Sequence, residues 1–330
     1  MKRINWSLWI CIFSILGFIG VSGSLALAQG EFPTGPITMM AGSTPGAPTD
    51  AAGRALSNLV KPILGQPMVL INKAGMSHSL MTSELKSKEP DGYTLGIAAA
   101  TAVTLNHHLE KLDYTADDFT YIRTVGSMLH GVCVRSDSPW KTFEEFIDYA
   151  KKNPGKIKFS SYSPISTLSM VMLMIAQEKN INWVHVPFKG GGPAATALLG
   201  GHVEALAGVS EAIPYVRNGQ VRILVLFNGE RSKLFPDVPT LKDLGYKIPS
   251  LSDMSSTLII TAPKGLKSER LAKLSNAFEK AAQDPIYFKV MDSYACPVMN
   301  LGPEATKKMV FTYREEANGF YPALIKQMSK

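Results

Sequence analysis

The chain is poor in cysteine and histidine, and it lacks the short motifs of common enzyme classes. Its 330 residues include three cysteines and six histidines, and no G-x-S-x-G, H-E-x-x-H or Walker A motif occurs. The histidine pair His107 and His108 is adjacent in sequence, so its side chains would point in different directions on a helix. We therefore predict no catalytic residue, no metal site and no cofactor.

The sequence also lacks a strong excess of one charge. It has 34 Lys and Arg against 27 Asp and Glu, a formal net charge of +7, without a basic run interleaved with aromatic residues. A mild basic excess suits an acidic small ligand better than a nucleic acid. We predict no nucleic-acid partner.

Residues 1–28 have the features of a cleavable signal peptide. A basic start precedes an apolar run over residues 6–21, and Ala26-Leu27-Ala28 forms an A-x-A site. An uncleaved anchor is the alternative interpretation, because the run is near the length of a short membrane helix. We predict cleavage before Gln29, export to the periplasm, and a mature chain of 302 residues, the 330 less the 28 removed.

Two cysteines, Cys133 and Cys296, would remain after cleavage. An oxidising compartment allows a disulfide between them. They could equally stay free and buried, and the sequence alone leaves both alternatives open.

Strand and helix patterns alternate in two successive sets, which is typical of an open α/β architecture with mostly parallel sheets. Short loops of turn-forming residues separate the elements. The clearest helix start is the capping box over residues 142–145. The predicted strands are 36–41, 68–71, 93–98, 131–134, 156–159, 184–186, 203–206, 221–226 and 256–261. The first predicted helix has Thr49 or Asp50 as its N-cap. The other predicted helices are 79–88, 106–112, 142–152, 167–178, 194–199, 268–283, 285–292 and 304–327.

Three loops could carry a site, because ligands in open α/β sheets bind beyond the carboxyl ends of the strands. They span residues 42–50, 160–167 and 188–193. Each is rich in glycine or hydroxyl groups and leads into a helix N-terminus, where free N–H groups and the helix dipole favour an anion. Together they suit a carboxylate ligand. The alternative for each loop taken alone is an ordinary solvated turn.

An ordered series of motifs along the chain resembles a known family. The motifs are F-P-T-G-P-I-T-M-M (32–40), P-T-D (48–50), P-D-G-Y-T-L (90–95), A-K-K-N-P-G-K (150–156), V-P-F-K-G-G (186–191), L-G-G (199–201) and F-P-D-V-P-T (235–240). In this order they resemble the extracytoplasmic solute receptors of tripartite tricarboxylate transporters, also called Bug receptors. The resemblance covers essentially the whole mature chain.

The resemblance implies a type II periplasmic-binding-protein fold, in which two α/β lobes surround a ligand cleft. Lobe one would comprise residues 29–131 and 256–330, and lobe two residues 132–255. Such a receptor captures a small organic acid, a di- or tricarboxylate or an aromatic carboxylate, and delivers it to membrane permease subunits. It performs no chemistry on the solute, and it is expected to be a monomer.

The resemblance also implies which residues contact the ligand. They lie in the three loops and in the segment after the third strand. The implied ligand-binding residues are Ser43, Thr44, Gly46, Ala47, Asp50, Thr101, Ser161, Ser166, Thr167, Lys189, Gly190 and Gly191.

Several positions depart from the family pattern and leave the ligand open. Met76 and Ile165 are bulkier than the usual residues, which indicates an altered pocket. Gly208 stands where many members carry an aspartate, which makes a ligand with a cationic amino group less expected. Two other functions are kept as alternatives: an exported α/β hydrolase-like enzyme acting on a carboxylate ester, and a solute sensor that feeds a signalling partner.

Overall fold

The structure is a computed structural model, and it describes residues 31–108, 111–164, 166–248 and 257–328. Its strands form two five-stranded sheets, each with helices packed around it. The predicted signal peptide and Ile165 lie outside the described residues.

The first sheet is built from both ends of the chain. Its elements are β1 (Ile37–Ala41), α1 (Pro48–Leu64), β2 (Met68–Asn72), α2 (Ser79–Lys86), β3 (Thr94–Ala99), α3 (Thr101–Thr104), β4 (Phe119–Ser127), β10 (Thr257–Pro263), α8 (Ser268–Ala282), α9 (Pro285–Ser293) and α10 (Pro303–Met328). The strand order is β2-β1-β3-β10-β4. β1 pairs in parallel with β2 and β3, whereas β10 lies antiparallel between β3 and β4.

The second sheet comes from one continuous part of the chain. Its elements are β5 (Gly131–Arg135), α4 (Phe143–Lys152), β6 (Lys158–Ser161), α5 (Thr167–Lys179), β7 (Val184–Pro187), α6 (Gly191–Leu199), β8 (Ala205–Ala207), α7 (Ile213–Arg217) and β9 (Val221–Leu226). The strand order is β7-β6-β8-β5-β9. β6 pairs in parallel with β7 and β8, and β5 pairs antiparallel with β8 and β9.

Helix α4 shows how local sequence produces this packing. The Thr142 hydroxyl accepts a hydrogen bond from the Glu145 N–H at 3.2 Å, and the Glu145 carboxylate accepts one from the Thr142 N–H, which confirms the capping box. The apolar residues at helical spacing, Phe143 and Phe146 among them, are fully buried in the core of the second sheet. Each such phenylalanine contributes about 1.5–3 kcal/mol by leaving water.

The expectation of mostly parallel sheets is wrong, because both sheets are mixed. The antiparallel strands β5 and β10 follow the two connections by which the chain passes from one sheet to the other. The described parts of these two connections, residues 128–130 and 227–248, contain no helix of the kind that links parallel strands in a strand–helix–strand crossover.

Strand β4 was not predicted, and it carries Arg123 among its apolar residues. The structure buries this arginine to 4% exposure. Its guanidinium donates to the Glu279 carboxylate at 2.8 Å and to the Ser275 carbonyl at 3.1 Å. A charged residue in mid-strand is tolerated here because a partner on α8 satisfies it.

Two smaller differences concern helices. The helix predicted over 106–112 is a short 3-10 turn at Asn106–His108, beyond which residues 109 and 110 lie outside the description. The cap predicted at Thr49 or Asp50 is wrong, since α1 begins at Pro48 with Ala47 as its N-cap. Proline suits this first helical position because its missing N–H would be unpaired there anyway.

Both remaining cysteines are free and buried, which decides between the two alternatives left by the sequence. Burial raises the pKa of each thiol, to about 12 for Cys296. Within the described ranges, none of the helices has the length and apolar character that crossing a bilayer requires.

Candidate functional site

A cavity of about 480 Å³ lies between loops of the first sheet and loops of the second. The first sheet contributes the β1–α1 loop and the segment that precedes α2. The second contributes the loops after β6, β7 and β8, and Met128 comes from the connection between β4 and β5. The residues that line it are Gly42, Ser43, Thr44, Ala47, Pro48, Thr49, Ala74, Gly75, Met76, Ser77, His78, Met128, Tyr162, Ser163, Pro164, Phe188, Lys189, Gly190, Gly191 and Glu211.

The β1–α1 loop presents the N-terminus of α1 to this cavity. Ala47 has the extended conformation of an N-cap, φ −74° and ψ 158°, but an alanine has no side chain that could cap the helix. The positive end of the helix dipole therefore faces the cavity without a capping group of the protein. Ser43 and Thr44 line the cavity beside it.

Asp50 stabilises the β1–α1 loop through hydrogen bonds and does not line the cavity. Its carboxylate accepts hydrogen bonds from the Arg54 Nε–H at 3.0 Å, the Gly46 N–H at 3.0 Å and the Asn72 side chain at 2.8 Å. Burial acts to raise the pKa of Asp50, but these hydrogen bonds outweigh it and leave the pKa below 3.8. Asp50 is thus an anion that holds the loop shape.

Replacing Asp50 with alanine should therefore lower the free energy of unfolding by about 2 kcal/mol, because hydrogen bonds to a charged group are lost. The pKa of Asp50 is lowered on folding, so its stabilisation is present above pH 3.8 and disappears as the pH falls through the folded-state pKa. Urea unfolding of both proteins at neutral and acidic pH measures this difference. Asp148→Ala on the exposed face of α4 is the control, and an equal loss there would contradict the assigned role.

The segment before α2 has an unusual backbone. Met76, Ser77 and His78 all have positive φ values, of 47°, 45° and 78°. Non-glycine residues rarely adopt this conformation, and it occurs preferentially at functional sites. Met76 was noted in the sequence as a bulky replacement, but His78 was interpreted only as a lone structural histidine.

His78 packs against Gly42 at the wall of the cavity. A Cβ on Gly42 would lie 2.7 Å from the His78 Nδ1 atom, so the histidine fits only because residue 42 has no side chain. Burial lowers the pKa of His78 to about 4, although its contact with the Gly42 backbone acts in the opposite direction. The imidazole is therefore neutral at pH 7.

The loop after β7 forms the facing wall. Gly190 has φ 112° and is the N-cap of α6, and its N–H donates to the Tyr162 carbonyl at 3.0 Å. A Cβ on Gly190 would lie 3.4 Å from the Thr44 hydroxyl, which shows how closely the two loops approach each other. Lys189 and Gly191 also line the cavity. A second helix N-terminus without a side-chain cap thus faces the site.

Half of the residues implied as ligand contacts do not line the cavity. Ser161 shares a hydrogen bond of 2.7 Å with His185, and its hydroxyl also donates to the Ser163 carbonyl. The Ser166 hydroxyl accepts from the Ser169 N–H and caps α5. The lining residues among the predicted set are Ser43, Thr44, Ala47, Lys189, Gly190 and Gly191; those outside the lining are Gly46, Asp50, Thr101, Ser161, Ser166 and Thr167.

Glu211 is a charged cavity residue that the sequence analysis did not single out. Its Oε2 atom is buried and has no hydrogen-bond partner among the described residues. Burial raises the pKa of this carboxyl to about 7. A signal was present, since Glu211 is the single charged residue between Ala205 and Val216 in an otherwise apolar stretch.

Comparisons with known proteins agree with this arrangement. The sequence model of the TctC family, described as the tripartite tricarboxylate transporter family receptor, matches residues 52–322. The chain belongs to this receptor family. Its resemblance to these receptors, first inferred from the motifs, is confirmed.

One curated relative and two solved structures illustrate which proteins this receptor resembles in sequence and in fold. A UPF0065 protein from the gbd 5' region of Cupriavidus necator is 37% identical over 288 residues, which is 87% of either chain. A solved periplasmic transporter is 29% identical with a TM-score of 0.77, over 87% of this chain and 96% of its own. The MatC protein of Rhodopseudomonas palustris, solved with bound malate, is 25% identical with a TM-score of 0.76. The match covers 87% of this chain and 98% of MatC.

The predicted fold class is confirmed, because these neighbours are periplasmic binding proteins with two α/β lobes. The receptor family consists of periplasmic proteins that bind small-molecule ligands and supply a transporter permease. Both its family and its fold are those of solute-binding proteins.

Proposed function

We propose that this receptor captures a small organic carboxylate in the cavity and delivers it to the permease subunits of a tripartite tricarboxylate transporter. One observation carries the proposal: two helix N-termini without side-chain caps, those of α1 and α6, face the same cavity from different sheets. This arrangement suits the carboxylate of a ligand. MatC, which has the same fold, was solved with malate.

The lobes that close on the ligand are residues 29–131 with 256–330 and residues 132–255. The change of sheet between β4 and β5, and again between β9 and β10, supports these boundaries. Closure would be a hinge motion at the two connections. In this proposal the receptor is a monomer, is exported by cleavage after Ala28, and binds its ligand without turnover.

Six residues are proposed as direct ligand contacts because they line the cavity: Ser43, Thr44, Ala47, Lys189, Gly190 and Gly191. Asp50, Ser161 and Ser166 would act indirectly, since their side chains hold the loops that carry those contacts. The involvement of Gly46, Thr101 and Thr167 remains a prediction of the family resemblance.

A thermal-shift screen of the mature protein tests the proposal. A ligand that binds only the folded state raises the free energy of unfolding by about 2.7 kcal/mol when its concentration is a hundred times its dissociation constant. This stabilisation raises the midpoint temperature of unfolding. The panel comprises di- and tricarboxylates, aromatic acids, amino carboxylates and uncharged sugars. We expect a shift from carboxylates only; a shift confined to sugars, or none from any acid with the protein folded, would contradict the proposal.

A further inference from the structure

Glu211 is a carboxyl group in the cavity whose hydrogen-bonding requirements the described residues meet only in part, through its own backbone N–H. Its Oε2 atom is buried without a hydrogen-bond partner, while the residue as a whole is partly exposed towards the cavity. No salt bridge to Glu211 occurs among the described residues. A buried carboxylate is costly unless a cation or hydrogen-bond donors accompany it. The missing partner must therefore come from outside the chain or be a proton.

The position of this carboxyl group is determined by two glycines. A Cβ on Gly191 would lie 2.1 Å from the Glu211 Cγ atom, and a Cβ on Gly208 would lie 3.0 Å from its Oε2 atom. Gly208 also has φ 155°, a conformation that side chains rarely adopt. Because Gly191 and Gly208 have no side chains, the Glu211 side chain can occupy the space beside them in the cavity wall.

No positively charged side chain pairs with Glu211 among the described residues, and the positive group of the protein beside it is the N-terminus of α6, whose first residue, Gly191, packs against its side chain. The titratable neighbours of Glu211 are Cys133 on β5, Tyr162 after β6 and Cys296 after α9, and burial raises the pKa of all three, so they are uncharged at pH 7. His78, on the opposite wall, is neutral at the same pH. Lys189 also lines the cavity, but it is exposed and forms no ion pair with Glu211 among the described contacts.

We propose that Glu211 binds a cationic ammonium group, so that the ligand is an amino carboxylate with its two charges at opposite ends. The carboxylate end would meet the N-terminus of α1 at Ala47, and the ammonium end would supply a donor to Glu211, which lies beside Gly191 at the start of α6. This inference rests on the proposed function and narrows its ligand class. It reverses the expectation drawn from Gly208, because Glu211 brings a carboxylate to the space beside that glycine.

Titration calorimetry with matched ligand pairs tests this inference. The probes are dicarboxylates from succinate to pimelate and the corresponding ω-amino carboxylates, such as adipate against 6-aminohexanoate. We expect the wild type to bind an amino carboxylate at least about 30-fold more tightly than its dicarboxylate partner. Glu211→Gln should abolish that preference, because removing one member of a buried charge pair costs about 30-fold or more in affinity. Glu144→Gln, on the exposed face of α4, is the control and should change nothing.

The pH dependence gives a second, independent measurement. The carboxyl group of the free protein has a pKa of about 7, and only its charged form would bind an ammonium group. Affinity for the amino carboxylate should therefore fall about tenfold per unit below pH 7 in the wild type and stay level in Glu211→Gln.

Three results would overturn the inference and leave the carboxylate receptor standing. They are a wild-type preference for dicarboxylates, an unchanged preference in Glu211→Gln, and tighter binding at acidic pH, which would mean that a protonated Glu211 donates to a ligand carboxylate. Absence of binding to both series overturns the inference as well. The screen of other acids then decides whether the proposed function also fails.

Discussion

Ala47→Asp is expected to abolish carboxylate binding, with at least a 100-fold loss of affinity on the order of 3 kcal/mol, while the protein stays folded. An aspartate at this N-cap would direct its own carboxylate to the N–H groups of the first turn of α1. It would thereby occupy the proposed anion position and repel a ligand carboxylate. The helix itself should gain about 1 kcal/mol of stability from the new cap. Calorimetric binding and thermal unfolding of the same sample separate the two effects.

Ala47→Asn is the matched variant, because asparagine has nearly the same shape and also caps helices but has no charge. It should retain far more affinity than Ala47→Asp. Ala272→Asp adds the same charge on the exposed surface of α8 and should bind normally. Unchanged affinity in Ala47→Asp would show that the carboxylate does not bind at this helix terminus.

Gly191→Ala is expected to weaken ligand binding at least about tenfold, because it displaces Glu211. The new methyl group would lie 2.1 Å from the Glu211 Cγ atom and would force that side chain to move within the cavity. Alanine favours a helix by about 0.5–1 kcal/mol over glycine. The overlap with Cγ, close to the backbone of a partly buried side chain, should cost about 1–3 kcal/mol, so the free energy of unfolding should fall as well.

The neighbouring glycine provides an unusually close control. A Cβ on Gly192 would meet nothing within 4 Å, and Gly192 is in the same first turn of α6. Gly192→Ala should gain the same helix propensity and keep normal affinity. Equal affinities of the two alanine variants would show that the position of Glu211 does not matter for binding.

The sequence predicts this fold well where one local signal dominates. Strand β2 and helix α4 follow from a continuous apolar run and from a capping box. Strand β4 has no dominant local signal. Its Arg123 can be buried only because it pairs with Glu279, a partner 156 residues away in the sequence. The mixed pairing of the sheets also could not be predicted from a local signal. The direction of a strand depends on which connections pass from one sheet to the other.

The site was predictable in part for related reasons. Loops that lead into helix N-termini are visible in the sequence, and Ala47 and Gly190 lie in two of the predicted loops, although the family resemblance and not the predicted helix starts pointed to them. The roles of Asp50 and Ser161 were not, because hydrogen bonds to Arg54 and His185 decide where those side chains point. Glu211 becomes meaningful only when folding places it over Gly191 and Gly208.

The position of β10 has a consequence for how the chain folds. This strand lies between β3 and β4, yet it follows β4 by about 130 residues of chain. The pairing that fills the first sheet must wait for the last third of the polypeptide and must close a long loop, which is slow. The strands of the second sheet all lie within residues 131–226, so they can pair earlier. A chain that emerges from a membrane N-terminus first would therefore complete its second sheet while its first sheet still had an unpaired gap.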